Sequence, residues 1–124
     1  MGWFTKREEI PLKLNWIPLQ TTQQLDELLA DTEVNSLLFK HSTRCGISSF
    51  ALSRFENEWG EVRDLCKFYY LDLLNFRSIS EQVAMRTNVV HQSPQVLLFS
   101  KGEVVFHASH QDIDASAIQK IIIP

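Results

Sequence analysis

Cys45 is the residue whose type and position in this sequence most favour chemical reactivity. It follows a short apolar run, Ser36 to Lys40, and precedes a segment in which apolar residues recur at helical spacing from Ile47 to Trp59. This pattern predicts a strand that leads into a helix at Cys45. The unpaired amides and the positive dipole end of such a helix stabilise a thiolate, the nucleophilic form of cysteine. We therefore interpret Cys45 as a nucleophile.

The residues around Cys45 modify this interpretation. Lys40, His41 and Arg44 add positive potential if their side chains turn toward the sulfur. Ser48 stands three positions after Cys45, so the motif is Cys-x-x-Ser and lacks a second cysteine. Exchange at Cys45 should therefore stop at a mixed disulfide until an outside thiol attacks it. Ser48 either donates a hydrogen bond to the thiolate or is an ordinary serine of the first helical turn.

The second cysteine, Cys66, begins a segment rich in apolar and aromatic residues. This position favours a buried small hydrophobic side chain over a resolving thiol. A disulfide with Cys45 would require the two Cα atoms to lie within about 7 Å, which neighbouring strands do not ensure.

Length and composition indicate one domain over residues 1–124, with a weakly structured N-terminal segment at 1–11. The chain has 124 residues, of which 44% are hydrophobic, and a net charge of −3. With this net charge we expect no nucleic-acid partner. No apolar run approaches the roughly 18 residues that cross a membrane, so we expect no membrane partner either. Two cysteines and the lack of a secretory signal predict a cytoplasmic protein with free thiols.

The hydrophobic pattern predicts the element order β-α-β-α-β-α-β-β-α. A first short strand or edge segment is expected within 12–16, and a helix capped by Thr21 or Thr22 should follow it. Further predictions are a left-handed helix exit at Gly60, a helix capped by Ser78 or Ser80, and a last helix capped by Asp112 or Asp114. Other predicted elements are a helix stop at Asn88 and a tight Lys101-Gly102 loop that joins the segments Val90 to Phe99 and Val104 to His107 in an antiparallel hairpin.

This order, with a cysteine after the second strand and a proline before the hairpin, resembles the thioredoxin fold. The segment from Pro94 to Val104 is especially similar to the thioredoxin segment that runs from a cis-proline into a Lys-Gly-Glu hairpin. The resemblance implies a three-layer α/β/α domain with a central mixed sheet, and a cis peptide bond between Ser93 and Pro94 that faces Cys45. It also implies a groove in which the backbone of Ser93 pairs with an extended client segment.

From about Leu12 onward the chain more closely resembles the monothiol bacilliredoxins of the YtxJ type. The similar segments are His41-Ser42-Thr43, Cys45, Ile47-Ser48, His91-Gln92-Ser93-Pro94-Gln95 and His107-Ala108-Ser109-His110. The family usually has proline where Gly46 stands and a small polar residue where Arg44 stands. Proline would preset the start of the helix, so Gly46 leaves the loop looser.

The resemblance implies removal of bacillithiol from S-bacillithiolated client proteins. Bacillithiol is then a co-substrate that regenerates Cys45, and no bound cofactor is needed. His91 and Gln95 either contact this low-molecular-weight thiol or are solvated loop residues. Arg44 either binds the carboxylates of an acidic thiol or is an exposed arginine of a turn.

Two other functions remain open. One is a glutaredoxin-like enzyme for another low-molecular-weight thiol, and the other is a non-catalytic adaptor that binds partners through the same groove. His107 and His110 have a spacing that is common by chance, and we predict no metal site.

Overall fold

The protein is described here from a computed structural model that covers residues 14–42 and 46–123, apart from the side chains of residues 46–50, 61 and 62. The strands are β1 Trp16–Pro18, β2 Asn35–His41, β3 Cys66–Asp72, β4 Gln95–Ser100 and β5 Glu103–Ser109. The helices are α1 Thr22–Ala30, α2 Gly46–Asn57, α3 Arg77–Thr87 and α4 Ala115–Ile122, with short 3-10 helices at Glu61–Leu65 and His110–Asp112. The predicted element order is confirmed.

The strands form one mixed sheet in the order β1-β3-β2-β4-β5. β1, β3 and β2 are parallel, whereas β4 is antiparallel to both β2 and β5. β2 therefore lies at the centre of the sheet, and its carboxyl end leads toward Cys45.

Each face of the sheet packs against two helices. Successive strand residues point to opposite faces, so Leu37 and Phe39 belong to one core and Leu38 to the other. The first core contains Phe55 of α2 and Ile118 of α4. The second core includes Leu25 and Leu28 of α1 and Ile79 and Val83 of α3. The result is the predicted three-layer α/β/α architecture.

Local signals fix several of the helix ends and turns. Thr21 caps α1 in a capping box with Gln24, and Asp114 accepts hydrogen bonds from the amides of Ser116 and Ala117 at the start of α4. Asn88 ends α3 in the left-handed conformation with φ 60°. Lys101 and Gly102 both have positive φ, 54° and 82°, as a type I′ hairpin turn requires.

Three sequence predictions about local structure are wrong. Among the described residues the first strand is Trp16–Pro18, so it continues through Ile17 and Pro18, beyond the predicted end at Trp16. Gly60 has φ −109° and therefore is not a left-handed exit. α3 begins after Phe76 rather than after Ser78 or Ser80, and Ser80 is buried inside it.

The predicted weakly structured segment, 1–11, lies outside the described residues. Among the helices of the described part of the chain, none combines the length and apolar composition needed to cross a bilayer.

Candidate functional site

The candidate site lies where β2 ends and α2 begins. β2 ends at His41, and the backbone becomes helical at Gly46. Arg44 and Cys45 lie outside the described residues, as do the side chains of Ile47 and Ser48, whereas the backbone of Gly46 is described. The described part of the site therefore consists of the surroundings of this junction.

The loop before β4 forms the opposite side of the site. The Ser93–Pro94 peptide bond is cis. Pro94 is buried, and its carbonyl oxygen accepts a hydrogen bond of 3.0 Å from the amide of His110. The loop is therefore tied to the end of β5 at the position where β4 begins.

Gln95 holds this loop from inside. Its side chain is only 2% exposed, so it is not a solvated loop residue. The Nε2 amide donates a hydrogen bond of 3.0 Å to the carbonyl oxygen of Val90, and Oε1 accepts one of 3.3 Å from the amide of Gln92. Gln95 thus fixes the backbone on both sides of His91.

A buried lysine links β2 to the same loop. Lys40 has no exposed surface, and its Nζ lies 3.2 Å from Nδ1 of His91. The hydroxyl of Ser80, which is 3% exposed, lies 3.0 Å from the same nitrogen. Lys40 and Gln95 are direct partners in the β2–β4 ladder, so their side chains share one face of the sheet. Lys40, Ser80 and His91 form a polar cluster that we call the lysine cluster.

The lysine cluster has shifted protonation equilibria. Burial lowers the pKa of Lys40 to about 8. Burial also lowers the pKa of His91, and the positive charges of Lys40 and Arg77 lower it further. At pH 7 Lys40 therefore keeps its proton while the imidazole is neutral.

These charge states decide the tautomer of His91. A protonated lysine has only donors, so Nδ1 must be the acceptor and we assign the imidazole proton to Nε2.

His41, by contrast, lies on the other face of the sheet, where its ring contacts Phe39 and Tyr70. Lys40 and His41 therefore point in opposite directions.

A cavity of about 630 Å³ opens beside the lysine cluster. Its wall includes Ser42, Leu73, Arg77, Ser80, His91 and Ser93. The cavity thus extends from the loop before β4 to Ser42, which stands three residues before Cys45 in the sequence. Of the residues predicted for the groove, His91 and Ser93 line this cavity, whereas Pro94 and Gln95 support the loop from behind.

Ser80 and Arg77 are not among the site residues predicted from the sequence, and Lys40 is predicted there only to have a general electrostatic effect. A lysine inside a run as apolar as Leu37-Leu38-Phe39 was the signal that could have identified it, because charged residues are almost never fully buried without a partner.

Cys66 has the properties of a structural cysteine. It is 8% exposed, and burial raises the pKa of its thiol to about 12. Cys66 pairs with Asn35 at the start of β2. At about 3.3 Å per residue, β2 places Asn35 roughly 20 Å from His41. Cys66 therefore lies at the end of the sheet opposite to His41, the last residue of β2.

Comparison with known proteins agrees with this architecture. The model of the family described as monothiol bacilliredoxin BrxC matches residues 17–118. The chain is similar to a solved thioredoxin-fold protein provisionally assigned as an oxidoreductase, with 30% identity, a TM-score of 0.73, and coverage of 85% of this chain and 91% of that chain.

More distant solved structures share the fold. The thioredoxin of Malassezia sympodialis has 18% identity and a TM-score of 0.68, with 91% of each chain covered. A mutant thioredoxin from Halobacterium salinarum NRC-1 has 16% identity and a TM-score of 0.62, with 87% of this chain and 88% of that chain covered. At such identities the likeness shows the fold alone.

Proposed function

Because this chain belongs to the monothiol bacilliredoxin family, we propose that it is a thiol-disulfide oxidoreductase that removes bacillithiol from protein mixed disulfides. The supporting observation is the cavity of about 630 Å³ that extends from Ser42 to Ser93, because Ser42 stands only three residues before Cys45 in the sequence. Its size suits a low-molecular-weight thiol.

Two exchange steps account for the reaction. The thiolate of Cys45 attacks the bacillithiol sulfur of the client's mixed disulfide. The client leaves as a thiolate, and Cys45 keeps bacillithiol in a new mixed disulfide. A second bacillithiol thiolate then attacks this sulfur of bacillithiol, which releases bacillithiol disulfide and regenerates the Cys45 thiolate. Electrons come from thiols alone, so the exchange requires no bound cofactor.

Single-cysteine chemistry fits the rest of the chain. Ser48 stands where a dithiol enzyme has its second cysteine. Cys66 is buried, with its pKa raised to about 12, and is a poor nucleophile. Resolution of the mixed disulfide therefore requires an outside thiol, which a reducing compartment such as the cytoplasm supplies.

The remaining predicted groups have supporting roles in this proposal. Ser48 stabilises the thiolate from the first turn of α2, Gly46 and Ile47 shape that turn, and Arg44 attracts an acidic thiol. The client segment lies along Ser93.

Mass spectrometry after incubation with bacillithiol disulfide tests the proposal. The wild-type protein should gain one bacillithiol on Cys45, and Cys45→Ser should abolish this adduct whereas Cys66→Ser should retain it. A faster adduct with glutathione disulfide would instead support the glutaredoxin-like alternative. Slow, nonselective modification of both cysteines, or none, would overturn the enzymatic proposal in favour of an adaptor.

A further inference from the structure

The cavity beside the lysine cluster contains groups that suit a negatively charged ligand. Arg77, in the first turn of α3, contributes a guanidinium to its wall. His91 also lines it and has Lys40 behind it, with 3.2 Å between Nζ and Nδ1. The side of the cavity formed by Arg77 and His91 is thus electropositive.

The tautomer of His91 makes it a hydrogen-bond donor to this ligand. Nδ1 is occupied by Lys40 and Ser80, both buried. Nε2 is the other ring nitrogen and carries the proton. His91 is an exposed residue of the cavity wall. The adjacent ammonium of Lys40 polarises the ring and strengthens the Nε2 donor.

Burial of Lys40 requires a reason, because a buried ammonium destabilises the fold. Among the described residues, the ion pairs join Lys67 to Asp31 and Arg86 to Asp26, and neither includes Lys40. A ligand carboxylate bound at His91 would supply the negative charge that Lys40 lacks.

We propose that Arg77 and the Nε2 donor of His91 bind a carboxylate of the low-molecular-weight thiol, with Lys40 and Ser80 as positioning residues that hold His91 in its donor tautomer. The inference rests on the proposed thiol exchange and adds which thiols the protein selects: those with a carboxylate that reaches the wall formed by α3. Charge-assisted hydrogen bonds of this kind are stronger than those between neutral groups.

Glu81 opposes this selection. It follows Arg77 by one turn of α3 and is the single carboxylate among the described residues that line the cavity. Its removal should therefore strengthen the preference for an acidic thiol, whereas removal of Arg77 should weaken it.

The test compares adduct formation on Cys45 with glutathione disulfide and with its fully esterified form, which has the same skeleton without carboxylates. Bacillithiol disulfide and hydroxyethyl disulfide provide a second acidic probe and a small neutral one. Wild type should react with the acidic member of each pair about tenfold faster than with the neutral one, as a charge-assisted contact predicts.

Variants test whether residues of the cavity cause this preference for acidic disulfides. Arg77→Gln should reduce the ratio of the acidic to the neutral rate to near one, and Glu81→Gln should increase this ratio. Arg86→Gln removes the same charge from the same helix outside the cavity and should leave the ratio unchanged. His91→Gln keeps a donor near the Nε2 position and should retain more of the preference than His91→Leu, which has neither a donor nor an acceptor.

The possible outcomes separate this inference from the proposed function. Equal rates with acidic and neutral disulfides, or a preference that Arg77→Gln leaves intact, would overturn the carboxylate site while the exchange reaction stands. No adduct on Cys45 with any probe would contradict the exchange reaction itself. A preference for bacillithiol disulfide without one for glutathione disulfide over its ester would also overturn the carboxylate site, because a feature other than a carboxylate would then be selected.

Discussion

Nζ of Lys40 lies 3.2 Å from Nδ1 of His91, a residue 51 positions away in the chain. This contact joins the carboxyl end of the central strand to the loop that precedes Pro94. The two segments on either side of the candidate site are therefore joined by a partly buried hydrogen bond as well as by the sheet.

Lys40→Met should stabilise the protein at neutral pH. Burial lowers the pKa of Lys40 from 10.5 to about 8, which costs about 3 kcal/mol of folding free energy wherever the lysine is protonated. Loss of the hydrogen bond to His91 offsets about 1 kcal/mol of this gain. Denaturant unfolding at pH 7 should show a net increase of about 2 kcal/mol.

The stabilisation by Lys40→Met should depend on pH in a defined direction. Between about 8 and 10.5 the unfolded chain binds more protons at this lysine than the folded protein does, so the penalty is complete below pH 8 and disappears as the pH approaches 10.5. The difference in stability between the variant and wild type should shrink across this window. A difference that is constant from pH 7 to 10.5 would show that Lys40 is not buried as described.

Gln95→Met should loosen the loop that carries His91 and Ser93. Two hydrogen bonds from the Gln95 side chain to backbone are lost, which should lower the unfolding free energy by about 1–2 kcal/mol and raise the KM for bacillithiol disulfide more than it changes kcat.

Gln119→Met is the matched control for Gln95→Met. Gln119 also bonds backbone groups, at Gly60 and Glu58, in a region distant from the cavity. Gln119→Met should lower the unfolding free energy by a similar amount without changing the KM for bacillithiol disulfide. Equal KM values for the two variants would contradict a positioning role for Gln95.

Gly102→Ala should destabilise the β4–β5 hairpin. Gly102 has φ 82°, and a Cβ there would overlap the carbonyl oxygen of Leu29 at the end of α1. We expect a loss of about 1–3 kcal/mol in thermal or denaturant unfolding. Gly60→Ala is the control, since the nearest atom to its Cβ would be 3.9 Å away, and it should change stability little.

Cys66 should resist alkylation in the folded protein. With burial raising its pKa to about 12, almost no thiolate is present at pH 8. Peptide mapping after iodoacetamide treatment should show Cys66 unmodified in buffer and modified in denaturant. Rapid labelling in buffer would instead identify it as an accessible second thiol.

The sequence predicted the features that depend on local chemistry. Thr21, Asn88 and Asp114 mark helix ends because their side chains or backbone preferences act within a few residues. The Lys101-Gly102 turn follows from the same kind of signal.

The errors arise where tertiary contacts override local preference. The first strand is displaced to Trp16–Pro18, where it pairs with β3 and where Trp16 donates its indole N–H to the buried Glu56, 2.6 Å away. Ser80 has the chemistry of a cap, but its hydroxyl faces His91 inside the domain.

The lysine cluster could not be predicted from the sequence, because it too is formed by tertiary contacts. Lys40, Ser80 and His91 come from β2, α3 and a loop, and no spacing in the sequence brings them together. The position of Cys45 before a helix was sufficient to predict a nucleophile. The groups proposed to select the low-molecular-weight thiol could be identified only from the folded structure.

Transfer of bacillithiol from a client to Cys45 is the most direct test of the proposed chemistry. A client protein with a single bacillithiol mixed disulfide is mixed with an equal amount of this protein in the absence of free thiol, and both intact masses are measured. The proposal predicts that the client loses the bacillithiol mass and that Cys45 gains it, with no transfer to Cys45→Ser. Retention of bacillithiol on the client, or its appearance on Cys66, would contradict it.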